Sequence, residues 1–347
     1  MQNWERLNID PIFRANMLTR SNIVEHVRQF FLTRGFFQAE TPIMVATPGM
    51  EPYLDPFATT LRSHDDDGGK EFKAYLITSP EYALKKLLAG GMENVFEITK
   101  TFRNHEPWDG SHNPEFTMIE WYRAHENYTA LMRDVEDLVC DVAERAKHTK
   151  TLMYEGKNID LSTPWDRMTV AEAFARYAQI DLARGIDDPE WFRAIVDQKG
   201  CGITPADTFD DVFFKIFLRD IEPKLGFDKP VFLYEYPRSM AALAKLKSND
   251  NRFAERVEVY CGGLELANGY TELTDATEQR RRLEQEREFR QTLGKTAFDI
   301  DEQFIKAVGL MPECTGIAFG IDRLVMLLLG VTSIRDTMLF PASDLFL

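Results

Sequence analysis

Glu258 and Glu265 stand on either side of the Gly262-Gly263 step in VEVYCGGLELAN. This pattern predicts a hairpin with a two-residue glycine turn between residues 257–261 and 264–268. Counting outward from the turn sets Tyr260 opposite Glu265 and Glu258 opposite Ala267. The two glutamates then share a face as diagonal neighbours, roughly 7 Å apart. Carboxylates that close repel each other unless a cation joins them, and Mg²⁺ carried on ATP phosphates suits such a pair. A solvated surface pair is the alternative; Val257, Val259, Leu264 and Leu266 argue for burial instead. Asn268, Tyr270 and Glu272 follow at period two. Strict alternation turns them away from Glu265, and a bulge, expected at Gly269, is needed to bring them to the same site.

A second constellation precedes it. Residues 94–104 alternate, with Phe96, Ile98 and Phe102 on one face and Glu97, Thr99, Thr101 and Arg103 on the other. Residues 115–124 form a second strand, on which Phe116, Glu120 and Tyr122 share a face. The loop between them carries His105, Glu106, Asp109 and His112. One antiparallel hairpin can thus offer an arginine, an aromatic plate, a carboxylate and a phenol to one ligand. For any single residue a solvated sheet face is the simpler reading; for the set, a ligand site is favoured. A third segment, TGIAFGIDR at residues 315–323, reads as a strand running into a helix. Gly320 lets the backbone approach a ligand, and Arg323 falls in the first helical turn, where N–H groups favour anions.

The elements that must position these groups are mixed rather than regularly alternating, which favours an α+β fold. Residues 21–34 read as a helix with Ile23, Val27, Phe30 and Phe31 inward and Gly35 ending it. A strand-like run over 36–41 stops at Pro42. Ser79-Pro80 opens a helix that Gly90-Gly91 closes. Residues 129–147 are amphipathic. Residues 65–70 (DDDGGK) read as a solvated hairpin tip. The stretch from about 149 to 229 reads as a helical insertion, with a capping box at Thr169 and Glu172 and a helix over 210–221.

The chain has 347 residues and a formal net charge of −15. That charge disfavours a polynucleotide substrate, because phosphate contacts need a basic footprint. No apolar run approaches the ~20 residues of a membrane span, and residues 1–10 do not form a signal peptide. The four cysteines (Cys140, Cys201, Cys261, Cys314) include no Cys-x-x-Cys pair, which points away from zinc and disulfides and towards a reducing cytoplasm.

Together the three segments resemble the signature motifs of class II aminoacyl-tRNA synthetases: motif 1 over 35–42, motif 2 over 102–122 and motif 3 over 316–323. HNPEFTMIEWY and GGLELANGYTEL are similar to the lysyl branch. The resemblance covers nearly the whole chain and implies a catalytic core of antiparallel sheet flanked by helices, dimeric through motif 1. It implies that Arg103 holds the α-phosphate and the amino-acid carboxylate. Phe116 would stack on adenine, with Asn104, His105, Glu106, Asn113, Leu266 and Gly320 around the nucleotide, His112 at the outer phosphates and Arg323 at the γ-phosphate. Glu258 and Glu265 would hold Mg²⁺. Glu81, in Ser79-Pro80-Glu81, would take the substrate amino group, while Glu120, Tyr122 and Glu272 surround the side-chain ammonium with Asn268 alongside.

Three departures from lysyl-tRNA synthetases stand out. The catalytic helix begins almost at residue 1, so no anticodon-binding barrel is expected; Ser79 replaces an alanine, and Ala318 replaces the middle glycine of motif 3. All three are similar to the truncated paralogues that attach (R)-β-lysine to a lysine of elongation factor P. Motif 2 also reads FRNHEP, with Glu106 one place later than is common, which leaves the roles of His105 and Glu106 open. The expectation is therefore one catalytic domain over 1–347 that activates (R)-β-lysine or lysine with ATP and Mg²⁺. The acceptor would be elongation factor P, with no tRNA and no membrane. A minimal lysyl-tRNA ligase and a catalytically idle regulatory paralogue are the alternatives.

Overall fold

A computed structural model describes residues 1–64, 68–108, 110–241 and 243–347. Part of the expected hairpin tip, Asp65 to Asp67, and Asp109 of the motif 2 loop lie outside the described residues.

α1 (Asn3–Ile9) leads into α2 (Pro11–Leu32), which Asp10 caps by accepting from Phe13 N at 2.9 Å. The helix begins well before residue 21. Of the apolar residues in its first turns only Phe13 is buried, so the inward 3.6-residue stripe starts only near Ile23, whereas the Asp10-Pro11 start signal stands further upstream. β1 (Phe37–Gln38) is shorter than the expected run, because Thr41 leaves the ladder to bind the Glu97 carboxylate through its N–H at 2.9 Å and its hydroxyl at 2.8 Å. β2 (Met44–Val45), β3 (Ala58–Arg62) and β4 (Glu71–Leu76) form a small side sheet. α3 (Glu81–Ala89) precedes the motif 2 hairpin of β5 (Asn94–Phe102) and β6 (Glu115–Ala124), then α4 (Tyr128–Lys147).

The 149–229 segment differs from the expectation. It opens with a hairpin, β7 (Thr151–Tyr154) and β8 (Lys157–Asp160), and continues as β9 (Asp166–Thr169). Only then does it turn helical, through α5 (Val170–Ala173), α6 (Leu182–Asp187), α7 (Pro189–Gln198) and α8 (Phe209–Ile216). The capping box at Thr169 and Glu172 forms as its spacing requires. β9 runs parallel to β10 (Val231–Pro237) in the main sheet, and Phe174, Phe213 and Phe217 share one core with Leu233 and Tyr260. The insertion thus extends the sheet rather than standing apart from it.

β11 (Phe253–Cys261), β12 (Leu264–Thr271), α9 (Ala276–Thr292), α10 (Glu302–Val308), β13 (Cys314–Gly320), α11 (Ile321–Leu329) and α12 (Ala342–Phe346) complete the chain. The main sheet has eight strands in the order β1-β5-β6-β13-β12-β11-β10-β9, antiparallel except at its two edges. This is the expected α+β arrangement. One sheet face is apolar: Phe96, Trp121, Ile317, Phe319, Val257 and Val259 pack under α2, α4 and α11. Those helices seal that face, so alternation sends every second side chain of the same strands to the opposite face, where the cavity lies.

Candidate active site

The strand register brings separate motifs into rows. Glu97, Glu120, Ala318, Asn268 and Glu258 are successive cross-strand partners over β5, β6, β13, β12 and β11. The neighbouring row runs Tyr122, Gly316, Tyr270, Arg256. Above them lies a cavity of about 940 Å³, walled by these strands, residues 50–54, α9 and the insertion residues Phe214, Leu218 and Glu222.

The hairpin of β11 and β12 corrects two expectations. Tyr260 does face Glu265, but Glu258 faces Asn268, not Ala267. The bulge sits at Leu266, between the Val259–Ala267 and Tyr260–Glu265 pairs, not at Gly269. One extra residue there puts Glu265, Asn268, Tyr270 and Glu272 on one face with Glu258.

At one end of the cavity, Arg103 lies with its guanidinium 5.1 Å from the Phe116 ring centroid. Its Nε is buried without a hydrogen-bond partner, and burial lowers its pKa against the pull of Glu106, Glu265 and Glu51. An arginine so placed is a receptor for an anion. Arg323 projects from the first turn of α11, donates to Glu265 O at 2.6 Å and meets His112 Nε2 at 3.2 Å. Asp322 beside it is fixed by Arg20 of α2 at 2.5 Å and by Thr117 N at 2.6 Å. Asn113 is held by its own bonds to Glu115 O and Ala342 N.

Glu258 is gripped by Arg256 at 2.7 Å, by the Tyr260 hydroxyl at 2.7 Å and by the Tyr236 hydroxyl. Burial and then Glu258 push Glu265 up to about 7. A divalent cation between them would relieve that repulsion. Among the described residues no third His, Cys, Asp or Glu completes a metal cluster. The pair therefore suits Mg²⁺ that brings phosphate and water ligands of its own.

The other end is acidic. Glu120 is 2% exposed and accepts from Ser79 Oγ at 2.6 Å and from the Tyr122 hydroxyl. Burial and then Glu81 push it up to about 8. Glu272 is 1% exposed; burial pushes it to about 8 against the opposing pull of Lys85. Lys85 lies 2.6 Å from Glu272 Oε2 as an off-line ion pair rather than an aligned hydrogen bond, and Glu272 Oε1 has no partner. Glu81 accepts from Tyr270 and pairs with Lys85 at 2.5 Å.

Of the expected site residues, Ser79, Glu81, Arg103, Glu106, His112, Asn113, Phe116, Glu120, Tyr122, Glu258, Glu265, Leu266, Asn268, Glu272, Ala318, Gly320 and Arg323 line this one cavity. Pro80, Asn104 and His105 are not part of its lining. Pro80 is buried as the cap of α3. Asn104 bridges to Asp55, and His105, at φ +62, is an exposed residue 3.7 Å from Asp55. The tightest approach among the protein's own atoms on this strand is at Gly316, where a Cβ would collide with the Tyr122 ring and Glu272 Oε1. At Gly320 a Cβ would meet only ordinary contacts.

Sequence reasoning missed Arg256, Tyr236, Lys85, Glu51 and Glu286. Arg256 was readable two places before Glu258, and Lys85 four places after Glu81, as same-face partners. Tyr236, Glu51 and Glu286 gave no local signal, because Glu51 and Glu286 reach the cavity, and Tyr236 reaches Glu258, from elements distant in sequence.

Comparison with known proteins agrees with this geometry. The model of tRNA synthetases class II (D, K and N) matches residues 3–344. The "Elongation factor P--(R)-beta-lysine ligase" of Proteus mirabilis (strain HI4320) is 39% identical over 331 residues, covering 94% of this chain and 95% of that protein. The enzyme of the same name from Pectobacterium atrosepticum is 39% identical over 329 residues, covering 94% of each chain. That from Salmonella dublin is 38% identical over 327 residues, again covering 94% of each. The chain belongs to the class II tRNA synthetase family, in the branch formed by these ligases.

Proposed function

We propose that this chain activates (R)-β-lysine as its adenylate with ATP and Mg²⁺ and transfers it to a lysine of elongation factor P. The observation that carries this reading is the polarity of one cavity. A buried acid cluster, Glu81, Glu120 and Glu272, lies at one end, and Arg103, Arg323 and the Glu258–Glu265 pair lie at the other. A substrate with ammonium groups at one end and a carboxylate at the other fits only one way round, with its carboxylate at the arginines.

Phe116 would stack on adenine, with Arg103 on the α-phosphate and Arg323 and His112 on the outer phosphates. Mg²⁺ on Glu258 and Glu265 would neutralise phosphate charge as it develops. Attack of the substrate carboxylate on the α-phosphorus forms the adenylate and releases pyrophosphate. Positioning and charge neutralisation by residues already fixed in place supply most of the rate. Arg256, Tyr236 and Tyr260 hold Glu258 in one orientation, and Arg20 holds the turn that presents Arg323. The acceptor amine, once deprotonated, attacks the adenylate carbonyl, forms the amide and releases AMP.

A cytoplasmic site of action fits the four free cysteines. No described helix is long and apolar enough to cross a membrane. A homodimer through motif 1 is supported by Phe37 within it and Ile43 and Met44 just after it, all of them exposed. Incubation of the chain with elongation factor P, ATP, Mg²⁺ and each lysine isomer, read by intact mass, tests the proposal. One added β-lysyl group on elongation factor P is expected; adenylate without transfer would remove the acceptor from the reading.

A further inference from the structure

Resting on the diamino-acid reading above, we propose that Lys85 is a positioning residue that sets specificity. It is a resident ammonium that holds Glu81 and Glu272 and leaves the pocket a surplus of two carboxylates, the number of ammonium groups on β-lysine. Three acids converge there: Glu81 from α3, Glu120 from β6 and Glu272 from the residue just after β12. The fixed cation between them is Lys85, 2.5 Å from Glu81 and 2.6 Å from Glu272. Three acids less one lysine leave two. Lys85 is 1% exposed and is not part of the cavity lining, so it acts through its two partners.

The fold leaves Lys85 no alternative position. Its four-residue spacing from Glu81 puts both on one face of α3, and the rings of Tyr270 and Phe304, with centroids 5.2 and 5.9 Å away, close around the ammonium. Glu120 is held by two neutral hydroxyls, and Glu272 Oε1 has no partner. These are the carboxylate oxygens with no cation bonded to them, which incoming ammonium groups would meet. The remaining titratable groups do not supply the missing cations. Tyr122, Tyr270 and Cys314 face the cluster from β6, β12 and β13. Glu51 and Glu286 face Glu81 from the 50–54 segment and α9, with Arg103, Arg290 and Arg282 as their nearest cations. An acid with a single ammonium would leave one buried carboxylate unpaired, which is costly.

The test is kcat/KM for adenylate formation against pH, which reports groups of the free enzyme. The proteins are wild type, Lys85→Met, Lys85→Arg, Glu272→Gln and the Lys85→Met/Glu272→Gln double variant. Removing the cation makes the empty acids harder to ionise, so Lys85→Met should move the acid limb up by a pH unit or more. Lys85→Arg should keep the wild-type limb. Glu272→Gln leaves Lys85 in partial excess, so adding Lys85→Met to it should raise kcat/KM at least fivefold. An unmoved limb, or losses that multiply in the double variant, overturns the proposal. Should Lys85→Met not fold, Glu272→Gln alone decides. It should weaken (R)-β-lysine at least tenfold more than the monoammonium 6-aminohexanoate, and equal losses overturn the proposal. A wild-type enzyme that forms no adenylate with either lysine isomer would instead refute the activity itself, and this inference with it.

Discussion

Acidification should weaken β-lysine binding steeply, because the empty pocket holds protons that the ammonium groups must displace. Burial is the main reason Glu120 and Glu272 both stand near 8. A carboxyl with that value is about nine-tenths neutral at pH 7, and only its ionised form pairs with an ammonium. Glu81 adds to the rise of both, so their protons leave in linked steps. Between pH 7 and 6, Kd should therefore rise by about ten- to a hundredfold and level off above about pH 9. Calorimetry in buffers of different ionisation heat counts the protons released, and between one and two are expected at pH 7. A Kd that changes less than threefold between pH 6 and 8, with a binding heat independent of buffer, refutes the reasoning.

The same acids link pH to stability. Their folded-state values lie above the usual 4.5, so the neutral form is the one that folding favours. Their contribution is complete below about pH 4.5 and is lost as pH rises through about 8, with a ceiling of about 5 kcal/mol per group. The ligand-free Tm should fall across that window, and bound β-lysine should flatten the fall.

Glu265→Gln keeps the shape of the side chain but removes the acid that neighbours Glu258 on the same face; pyrophosphate exchange should be lost with the fold intact, and near-normal exchange would sink the magnesium assignment. Ser79→Ala removes a 2.6 Å donor from Glu120, and loss of a bond to a charged group, about 1.5–3 kcal/mol, should lower adenylation efficiency tenfold or more. Ala318→Gly empties a position directly opposite Glu120 and should favour α-lysine over β-lysine by about tenfold in the ratio of kcat/KM, since one methyl in a pocket is worth roughly 1–3 kcal/mol. No stable complex with a lysine tRNA should form at physiological salt, given the net charge of −15; a tight one in a filter-binding assay would favour the tRNA-ligase alternative.

Much of the fold was legible where a periodic pattern met a strong stop signal. The motif 2 strands and α4 lie within a residue or two of their expected bounds, because alternation or a 3.6-residue period ran up to polar or glycine-rich breaks. The insertion misled. Its short strands β7, β8 and β9 hold four residues each, too few for alternation to stand out beside the capped helices that follow. Nor does anything local in residues 166–169 tell that they join the main sheet: the partner strand β10 begins at Val231, beyond the whole helical segment.

The bulge at Leu266 shows why the site itself was harder to read than the fold. Period-two reasoning can say which residues share a face only while the ladder keeps its register, and one unpaired residue reverses every assignment beyond it. Before the bulge, β12 presents Glu265 to the cavity; after it, Asn268, Tyr270 and Glu272 occupy places that strict alternation gives to their neighbours. Glu265, proposed for Mg²⁺, and Glu272, proposed for an ammonium, can then share one face along β12 and the residue that follows it. Ala267, Gly269 and Thr271 turn the other way, and Gly269 is needed there because a Cβ would collide with Ile317. The bulge therefore matters to the site: it joins the Glu258–Glu265 end of the cavity to the acid cluster of Glu81, Glu120 and Glu272 along one stretch of chain. Moving it to Gly269, as the sequence suggested, would have left Asn268 facing the apolar core.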